Sequence, residues 1–358
     1  MSERGPAARC RAGVLCATLG AALLGCATPA PEPAPPVATQ AVSLPPPAPS
    51  SQGTVVGRND RLLVYVWRDG DTLAGIAERF LGSRSRAWEI DEVNPELSPH
   101  PAPGQPIVVP LRWPNPLGIA ADGTAQTIPV LCYHRVGPGT SKMEIAPAKL
   151  EAQLQWLRDN GRPVVRLSDL AAFLAGKQPL PSGAVVITFD DGYESVYRHA
   201  LPLLRKYHVP ATLFVYTDFI GSRDGLSWAQ LDELQRSGLV DIESHSKSHI
   251  NLSDVESNRS RLDTELRQSR TLIERSLGAA GAKVRYIAYP YGDATEAVLE
   301  ATHRAGYELG LTVNPGGNPF YASPLLLKRV MIFGDGDLEQ FKARVNWSRG
   351  ATNGAARH

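Results

Sequence analysis

Three short apolar runs in this chain are each followed at once by acidic or imidazole side chains. These side chains are His134, Asp190, Asp191, His245 and His249. One carboxylate oxygen and two imidazole nitrogens, with a coordination position left for water, suit a catalytic divalent metal such as Zn²⁺. A bound metal lowers the pKa of water and stabilises an oxyanion, so this set of residues predicts a hydrolytic reaction.

The spacing of these residues allows them to take different roles. His245 and His249 converge on one point if the chain turns helically between them. Asp190 and Asp191 are adjacent and need not point the same way, so one can bind metal while the other takes a proton from water. His134 is then available to protonate a leaving amine. Taken singly, an Asp-Asp-Gly is usually a turn, a His-x3-His is usually a surface pair, and a lone histidine is usually structural.

The elements that must position these side chains alternate between strand and helix from about residue 127 onward. Apolar runs predict strands at 130–133, 185–189, 211–216, 240–243, 284–289 and 309–313. Amphipathic segments predict helices at 147–160, 195–207, 227–236, 255–277 and 296–305. This alternation is typical of parallel strands with helical crossovers, and the number of units predicts an incomplete (β/α) barrel. Chemistry in such folds gathers at the carboxyl ends of the strands.

Three motifs of this region resemble those of carbohydrate esterase family 4, the NodB-like polysaccharide deacetylases. The motifs are TFDDG at 188–192, SHSKSH at 244–249 and AYPYG at 288–292. The resemblance implies a distorted (β/α) barrel. It also implies that Asp190 is a general base and that Asp191, His245 and His249 bind the metal. It also implies that the backbone N–H of Tyr291 helps to hold the oxyanion.

The sequence departs from the usual family pattern at two places. Ala288 stands where many members have an arginine that steadies the base, and Arg329 is the candidate replacement. The usual late motif with a catalytic histidine is absent, since residues 309–313 (LGLTV) contain none. The early His134 instead resembles the permuted subgroup that includes the poly-N-acetylglucosamine deacetylases, which implies that His134 is the acid. Residues 314–319 (NPGGNP) also resemble that subgroup and are expected to line the groove.

The first residues are typical of an exported lipoprotein. Three arginines precede an apolar run at 14–24, which is too short for a permanent membrane span and fits a secretory signal. The run ends in LLGC at 23–26, which resembles a bacterial lipobox and implies cleavage before Cys26 and acylation of that residue. The alternative is an ordinary signal with an incidental cysteine. Cys132 then has no partner for an intrachain disulfide and is predicted to be a buried strand residue.

A unit of about fifty residues follows a Pro- and Ala-rich stretch that is too poor in apolar side chains to fold. Its predicted elements are a strand at 62–66, helices at 73–80 and 86–93, and a strand at 107–110. This order, with GDTL at 70–73 and PGQPIVVP at 103–110, resembles a LysM module. The resemblance implies binding to N-acetylglucosamine-containing chains such as peptidoglycan or chitin. The alternative is a degenerate module that acts only as a spacer.

Taken together, these features predict six segments. They are a lipoprotein signal (1–25), a linker (26–60), a LysM module (61–111), a second linker (112–126), a NodB-like deacetylase domain (127–345) and a tail (346–358). The predicted protein is an exported, membrane-anchored N-deacetylase, a hydrolase of linear amides. It acts on an N-acetylglucosamine-containing exopolysaccharide or peptidoglycan, with zinc as the expected metal and cobalt, nickel or iron as alternatives.

The competing interpretation is a catalytically inactive lipoprotein that binds cell wall through the LysM module. A formal net charge of +1 over 358 residues gives no indication of a nucleic-acid partner.

Overall fold

The structure is a computed structural model that describes residues 53–119 and 123–350. The predicted signal, Cys26, most of the first linker and residues 351–358 lie outside the described residues. Within the described residues, no helix combines the length and the apolar character needed to cross a bilayer.

The first part of the described chain forms a small three-stranded antiparallel sheet covered by two helices. Its elements are β1 (Thr54–Arg58), β2 (Leu62–Val66), α1 (Leu73–Leu81), α2 (Ala87–Val93) and β3 (Pro106–Pro110), and the strand order is β1-β2-β3. Helix α1 begins after Thr72, whose hydroxyl accepts the Gly75 N–H, and it ends at Gly82, whose φ is 79°. Alternate residues of β2 and β3 pack on the helices because strand side chains alternate between faces.

This small unit extends further than the sequence predicted. The strand, helix, helix, strand order at 62–110 is present, but β1 lies inside the segment expected to be a linker (26–60). Residues 54–58 read TVVGR, and two of their side chains, Val55 and Val56, are exposed. The strand is held by backbone pairing with β2 rather than by an apolar face, so its residues carried no burial pattern that could have revealed it.

The remaining chain forms an α/β fold around a curled, mainly parallel sheet. Its main strands are β4 (Ile128–Tyr133), β7 (Val186–Phe189), β8 (Ala211–Val215), β9 (Val240–Ser244), β10 (Tyr286–Ala288) and β11 (Leu309–Leu311). They pair in parallel in this order, and all six correspond to predicted strands. Two short strands, β5 (Arg135–Val136) and β6 (Glu144–Ile145), form a separate pair.

Helices cover this sheet between successive strands. They are α3 (Pro147–Asp159), α4 (Leu167–Leu174), α5 (Leu201–Tyr207, after a π-helical turn at Val196–Ala200), α6 (Trp228–Arg236), α7 (Arg259–Asp263), α8 (Ser269–Leu277), α9 (Glu296–Arg304) and α10 (Leu338–Gly350). A π-helical turn, Thr264–Gln268, joins α7 to α8. The sequence analysis did not predict α4, and α10 crosses the predicted boundary between domain and tail at 345.

The two ends of the sheet are linked by the segment 327–331. Leu327 bridges Leu311 at the end of β11, and β13 (Val330–Met331) pairs in parallel with β4. A short antiparallel strand, β12 (Gly317–Asn318), also pairs with β4. The ladder here consists of single bridges and two-residue pairs, so the curled sheet is irregular at this point. This segment also carries Arg329, which is completely buried.

Candidate active site

The two adjacent aspartates follow β7 at the carboxyl edge of the sheet. Both are largely buried, with 2% of Asp190 and 8% of Asp191 exposed. The Asp190 N–H donates to the Tyr133 carbonyl on the neighbouring strand, so Asp190 continues the ladder. Asp191 leaves it in the left-handed region, with φ at 73°. This break in the backbone lets the two carboxylates take different partners, so they could serve the separate roles that the sequence analysis predicts.

The two histidines follow β9, two strands away in the sheet. His245 is buried, and its Nδ1 lies 2.7 Å from the Ala288 carbonyl, so Nδ1 carries the proton and Nε2 is left as a free lone pair. His249 is partly exposed and adopts a left-handed backbone conformation, with φ at 58°. Its Nε2 faces Asp191. Both rings therefore present Nε2 towards one carboxylate.

The three atoms have the spacing of a metal site. Asp191 Oδ1 lies 3.5 Å from His245 Nε2 and 3.3 Å from His249 Nε2. Two ligand atoms that each lie about 2.1 Å from a tetrahedral zinc ion are about 3.4 Å apart. The donor set of one carboxylate and two imidazoles therefore fits a divalent metal in both type and distance, and the group is a candidate metal site.

Charge reinforces this arrangement. Burial raises the pKa of Asp191, but hydrogen bonds to His245 and His249 outweigh burial, and the net pKa lies far below the usual range. Burial lowers the pKa of His245, but the charge of Asp190 and the contact with Asp191 raise it by more, so the net shift is upward. The raised pKa of His245 means that a proton and a metal would compete for its Nε2.

Asp190 is held by a buried ion pair. Arg329 Nη1 donates to Asp190 Oδ1 at 2.7 Å, and Arg329 Nε donates to the Thr312 carbonyl at 2.8 Å. Burial raises the pKa of Asp190, but Arg329 and then His245 outweigh it, so the net pKa is lowered. Arg329 therefore makes the contact with the Asp190 carboxylate that the sequence analysis suggested, which the methyl group of Ala288 could not make.

The other oxygen of Asp190 faces two residues of β4. Cys132 Sγ lies 3.4 Å from Asp190 Oδ2. One ring nitrogen of His134 lies within 4.8 Å of both the Cys132 sulfur and an Asp190 oxygen. Burial lowers the pKa of His134, against the charges of Asp190 and Asp191. The sequence analysis treated Cys132 only as a buried strand residue. Cys132 lies two residues before His134, and alternate residues of a strand share a face, so this spacing could have predicted that Cys132 lies at the site.

Tyr291 borders the site on the solvent side. Its φ is 60°, its side chain is 65% exposed, and its ring centroid lies 4.9 Å from that of His249. The His249 ring also lies 5.0 Å from that of Tyr216. The seven residues singled out from the sequence thus fall into three groups that share one rim: the metal-binding group, the Asp190 group and Tyr291.

Comparison with known proteins finds similarity to polysaccharide deacetylases. Residues 177–310 match the family model described as polysaccharide deacetylase. YxkH of Bacillus subtilis strain 168 is 31% identical over 189 residues, which cover 53% of this chain and 65% of that protein, slightly less than two thirds of its length. The poly-beta-1,6-N-acetyl-D-glucosamine N-deacetylase of Staphylococcus aureus strain MRSA252 is 28% identical over 201 residues, 51% of this chain and 67% of that protein.

A solved structure gives the same result. The Streptococcus pyogenes deacetylase PplD, in complex with acetate, aligns with a TM-score of 0.57 and 25% identity over 62% of this chain and 99% of that chain. His134 and Arg329 lie outside the segment matched by the family model, but inside the fold described above. Residues 177–310 of this chain are thus similar to the polysaccharide deacetylases.

Proposed function

We propose that this protein is a metal-dependent hydrolase that removes N-acetyl groups from an N-acetylglucosamine-containing polysaccharide and releases acetate. The observation that carries the proposal is the meeting of Asp191, His245 and His249 at metal-ligand distances, with the Asp190 carboxylate beside them. Inactive relatives of an enzyme are expected to lose ligands or the base, and this chain has both.

The metal would be held by Asp191 Oδ1, His245 Nε2 and His249 Nε2. Zinc fits this ligand set best, and cobalt, nickel or iron are alternatives. When bound, the ion would lower the pKa of the attacking water and polarise the N-acetyl carbonyl.

Asp190 is the proposed general base. Its lowered pKa keeps the carboxylate ionised at neutral pH, and the ion pair with Arg329 fixes Oδ1. Because Oδ1 is occupied by Arg329, Oδ2 is the oxygen that can accept a proton from the attacking water. Arg329 acts here through Asp190 and does not itself meet the substrate.

His134 is the proposed acid, which gives a proton to the leaving nitrogen as the C–N bond breaks. One ring nitrogen of His134 lies within 4.8 Å of an Asp190 oxygen, so the ring is placed beside the proposed base. The proton that Asp190 takes from water balances the proton that His134 delivers, so acetate and a free amine are the products. The Tyr291 N–H is proposed to stabilise the developing oxyanion.

The substrate and location are proposed from the sequence features and the relatives. The S. aureus relative is named for a poly-β-1,6-N-acetylglucosamine substrate, which supports an exopolysaccharide. The LysM-like sequence at 61–111 supports binding to peptidoglycan or a chitin-like chain, and both classes of polymer contain N-acetylglucosamine. Acylation of Cys26 would tether the exported protein to a membrane of the bacterial envelope.

Two variants test the enzymatic proposal. Asp190→Asn should abolish acetate release from acetylated glucosamine oligomers and leave zinc binding intact, because it removes the base and not a ligand. His245→Ala should lose zinc and activity together. An Asp190→Asn protein that loses zinc would show that base and ligand are wrongly assigned, and an active, metal-free His245→Ala protein would rule out the metal site.

The second candidate is an inactive cell-wall-binding lipoprotein. The folded three-stranded unit at 54–110 is the observation that favours it, since this unit is too small for a buried active site and suits a binding role. Wild-type protein that binds peptidoglycan, and releases no acetate from either polymer with added Zn²⁺, Co²⁺ or Ni²⁺, would favour this candidate.

A further inference from the structure

The loop between the two proposed metal-binding histidines has an unfavourable backbone. Ser246 and His249 have φ values of 69° and 58°, in the left-handed region that residues with a Cβ rarely adopt. Such conformations persist only where the surrounding structure fixes them. Something must therefore hold this loop in place, because a relaxed loop would carry the His249 ring away from Asp191.

Glu265 accepts three hydrogen bonds from the middle of this loop. Its Oε2 accepts the N–H groups of Lys247, at 3.1 Å, and Ser248, at 2.8 Å. Its Oε1 accepts the Ser248 hydroxyl at 2.7 Å and lies 3.1 Å from Arg261 Nη2. The Glu265 carboxylate is completely buried. A buried charge with four donors is costly to misplace, so the carboxylate and the loop fix each other.

The helix that carries Glu265 is distorted at this residue. Glu265 lies in the π-helical turn Thr264–Gln268 between α7 and α8. Single π-turns are often found at functional sites, because the extra residue re-aims a side chain that a regular helix would direct elsewhere. Nothing in the reaction proposed above uses this distortion, so it needs another explanation.

His245 has a different support. Its Nδ1 is held by the Ala288 carbonyl, on the neighbouring strand. Glu265 therefore supports only one of the two histidines, because it fixes the two residues that immediately precede His249. Its removal should loosen His249 and spare His245.

We propose that Glu265 is a positioning residue that holds His249 at the distance required for metal binding. This inference rests on the proposed function, in that it takes His249 as a ligand. Glu265 meets neither substrate nor metal and acts through the backbone of Lys247 and Ser248. Residues that orient a metal ligand from outside the coordination sphere typically change metal affinity by about 10- to 100-fold when replaced.

The test is the zinc affinity of the full-length chain, measured by calorimetric titration of metal-free protein. Glu265→Leu, which keeps the volume and removes every acceptor, should weaken zinc binding by about 10- to 100-fold. Glu265→Gln keeps an oxygen for both loop N–H groups and should bind zinc nearly as well as wild type. Glu265→Asp withdraws the carboxylate from the loop and should lie between them, which provides a test if the leucine variant does not fold.

A matched control is available in Glu243. This carboxylate is also buried, and its Oε2 accepts two backbone N–H groups, from Arg285 and Tyr286, both at 2.8 Å. Glu243→Leu should lower thermal stability and leave the zinc affinity of the folded protein unchanged. In metal-free protein, amide exchange at residues 246–249 should speed up in Glu265→Leu and not in Glu243→Leu.

The possible outcomes separate this inference from the proposed function. Folded Glu265→Leu or Glu265→Asp protein with wild-type zinc affinity would overturn the role of Glu265 and leave the enzymatic proposal standing. Wild-type protein that binds no zinc would overturn the role of Glu265 as well. Weakened zinc binding in these variants, together with a wild type that releases no acetate, would support the role of Glu265 and refute the deacetylase.

Discussion

The small unit at 54–110 and the rim of the candidate active site differ in which residue types adopt the left-handed backbone conformation. In the small unit every described residue with positive φ is a glycine, namely Gly70, Gly82 and Gly104. Around the site the positive-φ positions include Asp191, Ser246, His249 and Tyr291. Only one other non-glycine residue in the described chain, His208, shares this conformation.

The difference shows where the chain accepts an unfavourable backbone. A side chain in the left-handed region costs about 1–2 kcal/mol relative to its preferred conformation. In the small unit these turns need no particular side chain, so glycine can occupy the left-handed positions without strain. At the site each position needs a particular side chain or backbone N–H as well, and the residues packed around it must offset the cost. The buried contacts of Glu265 with Lys247 and Ser248 are one such support, and Arg329 holds Asp190 next to the left-handed Asp191.

The largest effect is expected from removing one of these supports at the site. Arg329→Met leaves the Asp190 charge buried without a partner, which should lower the free energy of unfolding by about 3–5 kcal/mol and abolish acetate release. Chemical denaturation measures the first and product assay the second. Arg236→Met removes an exposed pair with Asp232 and should change stability by less than about 1 kcal/mol. Equal losses of stability in the two variants would contradict the claim that the buried Arg329–Asp190 pair supports the fold.

A second effect concerns acid. The pKa of Asp191 is lowered in the folded protein from an ordinary value of 3.8. The unfolded chain therefore binds the proton first, so the stability that this carboxylate contributes is present above pH 3.8 and is lost as pH falls below it. Metal-free Asp191→Asn should show a flatter loss of stability in this range, measured by chemical denaturation at a series of pH values. An unchanged slope would refute the assignment.

A single added methyl group at Gly82 should lower the stability of the small unit. Gly82 has a φ of 79° and open space around its α-carbon, so Gly82→Ala introduces backbone strain and no clash. It should lower stability by roughly 1 kcal/mol. Acetate release from soluble oligomers should not change, because this glycine ends α1 in the small unit. Lost activity in folded Gly82→Ala protein would show that the two regions are not independent in this respect.

The smallest effect distinguishes strain that serves the site from strain that does not. His208 ends α5 with φ at 53°, and Tyr291 has φ at 60°. Replacing either by glycine should raise stability by about 0.5–1 kcal/mol after the entropy of the unfolded chain is included. His208→Gly should keep full acetate release. Tyr291→Gly keeps the backbone N–H but should reduce acetate release, because it removes the ring whose centroid lies 4.9 Å from that of His249. Full activity in Tyr291→Gly would mean that this position needs no side chain.

The sequence predicted the strands of the curled sheet well, because a strand buried on both faces reads as a continuous apolar run. It also brought His134, Asp190, Asp191 and both ligand histidines to one edge, since parallel strands share their carboxyl ends. It missed α4, whose residues 167–174 are only eight long, and β1, whose side chains are exposed. Short elements fixed by neighbours leave little periodicity to detect.

The sequence left the site incomplete at two positions for a different reason. Arg329 was only a candidate, because its contact with Asp190 joins residues 139 positions apart and depends on the curl of the sheet. Glu265 was not singled out at all, since a carboxylate on an amphipathic helix usually faces solvent. The π-turn that turns it inward has no signature in a single sequence.

The segment 327–331 has a consequence for biogenesis. It joins the last long strand to the first, and it brings Arg329 to Asp190 only when it is in place. A polypeptide under synthesis already carries all three proposed ligands by residue 249, yet the proposed base stays unsecured for about eighty further residues. A chain that ends before 327 should therefore retain the candidate metal ligands and lack the arginine that holds the proposed base.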